Sequence, residues 1–132
     1  MTIQLLSDLH LETEDFTPTP APGADLLVLA GDVDSSWQGL SRFAGWPVPV
    51  LFVPGNHEFD RRDVDEALAG LRERAAQLGL TVLERETAFV TAPDGRVIRF
   101  LGTTRWCDFD LFGEAQRPKA MRAASYFVNV MR

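Results

Sequence analysis

Leu26-Leu27-Val28-Leu29-Ala30-Gly31-Asp32-Val33-Asp34 is the stretch that decides the fold of this chain. Five apolar residues without alternation suit a strand buried on both faces of a parallel sheet, and the Gly-Asp that follows gives that strand a polar exit. The same construction stands on either side. Ile3 to Leu6 runs into Ser7-Asp8-Leu9-His10, and Val50 to Val53 leads to Gly55-Asn56-His57-Glu58. Asp8, Asp32 and Asn56 fall 24 residues apart, a rhythm of architecture without residue-level similarity between the units. The pattern predicts three parallel strands whose carboxyl ends share one edge, the place where open α/β sheets bind ligands.

The connections agree with an α/β fold. Thr17-Pro18-Thr19-Pro20-Ala21-Pro22-Gly23 cannot be helical, because proline removes amide donors and restricts its neighbour. Ser35 to Gly45 has room for a short helix capped by Ser35 or Ser36. After the third cluster, Asp63 with Glu66 resembles a capping box. Val64, Ala67, Leu68, Leu71, Ala75 and Leu78 then recur at helical spacing, and Gly79 supplies a left-handed stop. Leu80 to Leu83 reads as a strand. Ala88 to Thr91 and Val97 to Leu101 flank Ala92-Pro93-Asp94-Gly95, a hairpin turn. A last helix is expected from Lys119 to the end, with Ala120, Ala124, Phe127 and Met131 on one face.

The 132 residues, 45% hydrophobic and 24% charged, describe one globular domain over 1–132. The net charge of −6 is unevenly spread: Met1 to Asp34 holds seven acids and no Lys or Arg, and the remainder is nearly neutral. Non-specific nucleic-acid or anionic-membrane binding needs clustered cations, so a metal or a cationic partner fits this balance better. Cys107 is the single cysteine, which leaves no intramolecular disulfide and no cysteine-based zinc site. The N-terminus lacks a basic leader and no apolar run reaches the roughly 18 to 20 residues of a membrane span, so the expected compartment is the cytoplasm.

Three strand ends present Asp8 and His10, Asp32, and Asn56 with His57. Asp8 and His10 stand two apart, so an extended exit would point both side chains the same way. An Asp after Gly in a turn, or a lone histidine, is ordinary by itself. Here both histidines of the chain fall inside the clusters. Carboxylate, amide and imidazole donors suit borderline to hard divalent ions such as Mn, Fe, Zn or Mg. A carboxylate can bridge two cations, which Asp32 can do and an amide could not.

The order Asp8-x-His10, Gly31-Asp32, Gly55-Asn56-His57-Glu58 resembles the first half of the signature of the calcineurin-like metallophosphoesterases. Gly102-Thr103-Thr104-Arg105-Trp106-Cys107-Asp108-Phe109 is similar to a segment of one bacterial branch. The resemblance implies the N-terminal portion of a metallophosphoesterase-type α/β sandwich with a strand-end metal site. It implies that Asp8 and His10 bind one metal, Asp32 bridges two, and Asn56 binds the other. His57 then contacts the substrate phosphate and assists the leaving group. The implied activity is metal-dependent hydrolysis of a phosphoester with two divalent ions, of open identity, about 3.5 to 4 Å apart. The substrate class is equally open.

The family also uses later histidines, including a Gly-His-x-His motif, and this chain has no histidine after His57. The expectation is therefore a domain truncated at its C-terminus, weakly active or inactive alone, and completed by a missing half or another chain. A non-catalytic metal-binding or interaction fragment is the alternative. A further alternative is a haloacid dehalogenase-like phosphatase, with Asp32 as nucleophile and Asp34 as acid. Arg61 and Arg62 read as solvated charges at a helix start, and Trp106 as core or pocket wall. Glu58 and Asp60 either orient His57 or cap the next helix.

Overall fold

The three apolar runs form strands with the expected bounds: β1 (Ile3–Leu6), β2 (Leu26–Ala30) and β3 (Val50–Val53). In the computed structural model, which describes residues 1–130 and side chains as far as Ser125, β4 (Thr81–Val82) completes an all-parallel sheet in the order β1-β2-β3-β4. Leu6, Leu29, Phe52 and Val82 stand side by side across the four strands. With Leu27 and Val50, this row forms the face that packs on Leu71 and Ala75 of α1 (Val64–Gln77) and on Leu40 and Phe43. That cluster is the larger core and holds the sheet rigid beneath its carboxyl edge.

Local signals explain the helix. Asp63 accepts from the main-chain N–H groups of Asp65 and Glu66 at 3.0 and 3.2 Å, as a capping aspartate should, and Gly79 at φ +78° ends the run. The second connection differs from expectation. It holds a 3-10 turn over Gly39–Phe43, and neither Ser35 nor Ser36 caps it. The buried carboxylate of Asp34 does so instead, accepting from Ser36 N at 2.6 Å and from Gly39 N at 2.5 Å.

The opposite face of the sheet is covered by a hairpin of β5 (Glu86–Thr91) and β6 (Val97–Gly102), with Ala88, Val90 and Phe100 packed against Leu26, Leu51 and Leu83. Its turn closes through Gly95 N donating to Ala92 O at 2.9 Å. The hairpin's outer face leaves Phe89, Val97 and Leu101 exposed. β1 also departs from the expectation of burial on both faces: Ile3 and Leu5 lie outside the hairpin cluster, and Leu5 is 64% exposed. β1 is an edge strand, and only its Leu6 face meets the core.

The expected strand Leu80 to Leu83 contracts to β4, although Leu83 N still donates to Phe52 O at 2.8 Å. The last helix, α2 (Arg117–Val130), starts two residues earlier than expected. Pro118 is tolerated in its first turn, and Arg117 pairs with Asp110. The expected face of this helix includes Phe127 and Met131, which lie outside the described side chains. Among the described residues no helix is long and apolar enough to cross a membrane.

Candidate metal centre

Beyond the sheet edge, the loops after β1 and β2 remain zipped together. Asp8 N donates to Gly31 O at 3.0 Å, His10 N to Asp32 O at 3.1 Å and Leu11 N to Val33 O at 2.9 Å. The exit from β1 is not extended, as the two-residue spacing suggested. Asp8 and His10 have φ of +52° and +45°, and Asp32 has +51°. Three side-chain-bearing residues in the left-handed region, all at one strand-end edge, are a local strain that the surrounding ladder sustains.

The loops after β2 and β3 touch through two glycines. A Cβ on Gly31, itself at φ +85°, would lie 2.9 Å from Gly55 Cα. One on Gly55 would overlap the Asp32 carboxylate and come within 2.6 Å of Asp32 N. The glycine before Asp32 and the glycine before Asn56 are thus required by close backbone approach.

Glu58 fastens the same two loops. Fully buried, its carboxylate accepts from Gly55 N at 2.6 Å, Val33 N at 2.7 Å, Asp32 N at 3.0 Å and Asp34 N at 3.3 Å. Burial pushes its pKa up, and the four main-chain donors offset part of that cost. Glu58 therefore neither orients His57 nor caps α1. Arg62 is exposed, as a charge at a helix start should be, but it also has partners. Its guanidinium lies 4.2 Å over the Trp37 ring and donates to Ser35 O at 2.8 Å, while Trp37 Nε1 donates to Glu58 O.

Held in this way, one ligand atom each from His10, Asp32 and His57 lies within 4.8 Å of the others. The two imidazoles meet edge to face with centroids 5.1 Å apart. Oδ1 of Asp32 accepts from His57 N at 3.0 Å, which fixes the carboxylate against the third loop. Nδ1 of His57 is 2.9 Å from Asp60 Oδ2, and Nδ1 of His10 is 3.2 Å from Glu12 Oε1. The hydrogen bond to Asp60 raises the pKa of His57 despite its partial burial, and the charges of Asp32, Asp60 and Glu12 act in the same direction. Asp8 stands outside the three-residue group. Asn56 heads the 3-10 turn His57–Phe59 without a side-chain capping bond. Two imidazoles and a carboxylate fit a divalent ion of the Mn, Fe or Zn kind.

The profile of the calcineurin-like phosphoesterases matches residues 1–108. The chain belongs to the calcineurin-like phosphoesterase family. UDP-2,3-diacylglucosamine hydrolases from three strains of Xanthomonas campestris pv. campestris are each 37% identical over 82 residues, covering 45% of this chain and 33% of theirs. The chain thus spans about a third of the length of these curated relatives. The crystal structure of phosphopantetheinyl hydrolase, PptH, from Mycobacterium tuberculosis superposes with a TM-score of 0.70 at 20% identity, covering 95% of this chain and 50% of that one. It shares the fold.

Membership of the calcineurin-like family bears on the dehalogenase-like alternative, and so does Asp34. That reading needs Asp34 as an acid facing the substrate, but its carboxylate is buried and occupied by Ser36 and Gly39. The segment resembling one branch of the family also reaches the strand-end edge. Thr104 Oγ1 donates to Pro54 O at 2.8 Å, and Trp106, half exposed, rests on Phe59 with ring centroids 5.6 Å apart. Nothing in the sequence marks Glu12 for a role at the site. Its contact with His10 is set by a turn in which Thr13 N and Glu14 N both donate to His10 O at 2.8 Å, and composition carries no signal for that.

Proposed function

We propose that the protein is a metal-dependent phosphoester hydrolase whose site lies at the carboxyl edge of β1, β2 and β3. The convergence of His10, Asp32 and His57 in a calcineurin-like family member carries this reading. Asp8, His10, Asp32 and Asn56 are the residues that would hold the divalent ions, Asp32 being the carboxylate able to serve both, and His57 is the proposed catalytic residue. Bound divalent ions supply Lewis-acid polarisation of phosphoryl oxygens and activation of water. Asp32 is held for its part by the His57 main-chain N–H. Asp60 keeps a proton on Nδ1 of His57 and favours the imidazolium, so Nε2 can donate to a phosphoryl oxygen or to the departing alkoxide. The relatives named as hydrolases of a UDP-linked diacylglucosamine and of a phosphopantetheinyl group support phosphoester chemistry and leave the substrate class open.

The test is calorimetric titration with Mn²⁺, followed by p-nitrophenyl phosphate as the probe of turnover. Mn²⁺ is expected to bind the wild-type chain and not Asp32→Asn, and turnover is expected to require the metal. Absence of binding at millimolar Mn²⁺, or binding unchanged in Asp32→Asn, overturns the reading.

A further inference from the structure

We infer that Glu12 is the positioning residue for His10, setting both its tautomer and its place beside Asp32. A carboxylate has no proton to give, so the 3.2 Å contact between Glu12 Oε1 and His10 Nδ1 requires the proton on Nδ1. In the neutral ring this leaves Nε2 with the lone pair, the form in which an imidazole can ligate a cation. The second oxygen of Glu12 is also committed: Oε2 accepts from Ser35 N at 3.1 Å. One side chain therefore spans the loop after β1 and the loop after β2, and aligns His10 relative to the segment that carries Asp32.

Three features make this more than a surface ion pair. The Glu12 side chain is only 21% exposed, so its contacts are partly shielded from solvent. His10 has left-handed φ and its carbonyl accepts from Thr13 N, Thr13 Oγ1 and Glu14 N, a turn that folds Glu12 back over the imidazole. His57 has an equivalent arrangement with a different carboxylate, Asp60, at 2.9 Å. Both histidines of the cluster thus hold a proton on Nδ1 against an acid of their own, which leaves Nε2 of His10 free to ligate and Nε2 of His57 facing the site as the proposed donor. The inference rests on the proposed metal site for its consequence, whereas the tautomer can be measured without metal.

Long-range ¹H–¹⁵N correlation on the metal-free, ¹⁵N-histidine-labelled chain reads both tautomers at once, since the chain has two histidines. In the wild type, His10 is expected as the Nδ1–H form. In Glu12→Ala it should move to a mixture rich in Nε2–H, while His57 stays unchanged and reports that the fold is intact. Mn²⁺ affinity should fall about 10- to 100-fold in Glu12→Ala, the usual loss when a carboxylate behind a ligating histidine is removed. Glu12→Gln keeps one acceptor oxygen for two donors, His10 Nδ1–H and Ser35 N–H, so its tautomer population and affinity should fall between those of the wild type and Glu12→Ala. If Glu12→Ala does not fold, Glu12→Gln carries the test, and a wild-type tautomer with weakened Mn²⁺ binding then overturns the inference.

An unchanged His10 tautomer in Glu12→Ala, or a Glu12→Gln chain that keeps the tautomer yet binds Mn²⁺ as weakly as Glu12→Ala, overturns the inference. A wild type with the expected tautomer and no Mn²⁺ binding overturns the proposed function and the metal consequence, and leaves the positioning of His10 standing.

Discussion

Oδ2 of Asp60 stands 2.9 Å from Nδ1 of His57, and that hydrogen bond is the largest cause of the raised His57 pKa. The consequence for stability has a definite sign. His57 titrates near its ordinary 6.5 in the unfolded chain and above it in the folded one, so the folded state binds more protons between those values. The contribution is fully present below about pH 6.5 and disappears as pH rises through the folded value. Asp60→Asn should lower the His57 midpoint toward 6.5 in an NMR titration of the metal-free chain. It should also flatten the decline in denaturant-measured stability above pH 6.5. A midpoint that does not move would remove Asp60 as the cause.

Glu58 gives the second prediction. Its four main-chain donors come from the loops after β2 and β3, so truncation leaves several N–H groups shielded from water without acceptors. Glu58→Ala should cost about 3 to 5 kcal/mol, the range for breaking a buried charged network. Glu58→Gln, which keeps one carbonyl acceptor, should cost less. Urea denaturation checks both. A loss below 1 kcal/mol in Glu58→Ala would mean that the loops hold their geometry without this carboxylate.

Gly55→Ala should separate site from scaffold. The new Cβ meets the carboxylate and main-chain nitrogen of Asp32, and backbone cannot yield as a flexible side chain can. A destabilisation of about 1 to 3 kcal/mol is expected from overpacking of this size. Because the displaced group is Asp32 itself, Mn²⁺ binding measured by calorimetry should weaken even at temperatures where the variant is folded. Retention of wild-type affinity would show that the two loops can part without moving the site.

Much of this arrangement is legible in the sequence because it is local. The bounds of β1, β2 and β3 follow from short apolar runs, and the Asp63 cap and Gly79 stop follow from residues within a turn of the helix. The strand-end edge brings His10, Asp32 and His57 together, while Asp8, which the spacing placed beside His10, stands outside the group. What the sequence hides depends on partners far along the chain. Glu58 binds N–H groups up to 26 residues away, and Glu12 reaches Ser35 across 23. The exposure of Leu5 depends on what covers an edge strand, which an apolar run cannot report. The left-handed turns at Asp8 and His10 lack the glycine that would announce them.

Those turns yield the last prediction, because the same strain occurs at a position without a part in the site. Arg85, between β4 and β5, has φ +55° and a side chain 78% exposed, with only a 3.8 Å surface pair to Glu84. A left-handed residue with a Cβ costs about 1 to 2 kcal/mol, part of which glycine returns as unfolded-chain entropy. Arg85→Gly should therefore stabilise the chain by about 0.5 to 1 kcal/mol and leave Mn²⁺ binding unchanged. Asp8→Gly relieves the same conformation at φ +52°, by a smaller amount because aspartate tolerates it better, but removes a proposed ligand. It should raise metal-free stability while weakening Mn²⁺ affinity. Denaturation and calorimetry on the two variants measure both effects. If Asp8→Gly is destabilising without metal, the left-handed turn after β1 is not strained, and the aspartate stabilises the loop through its side chain.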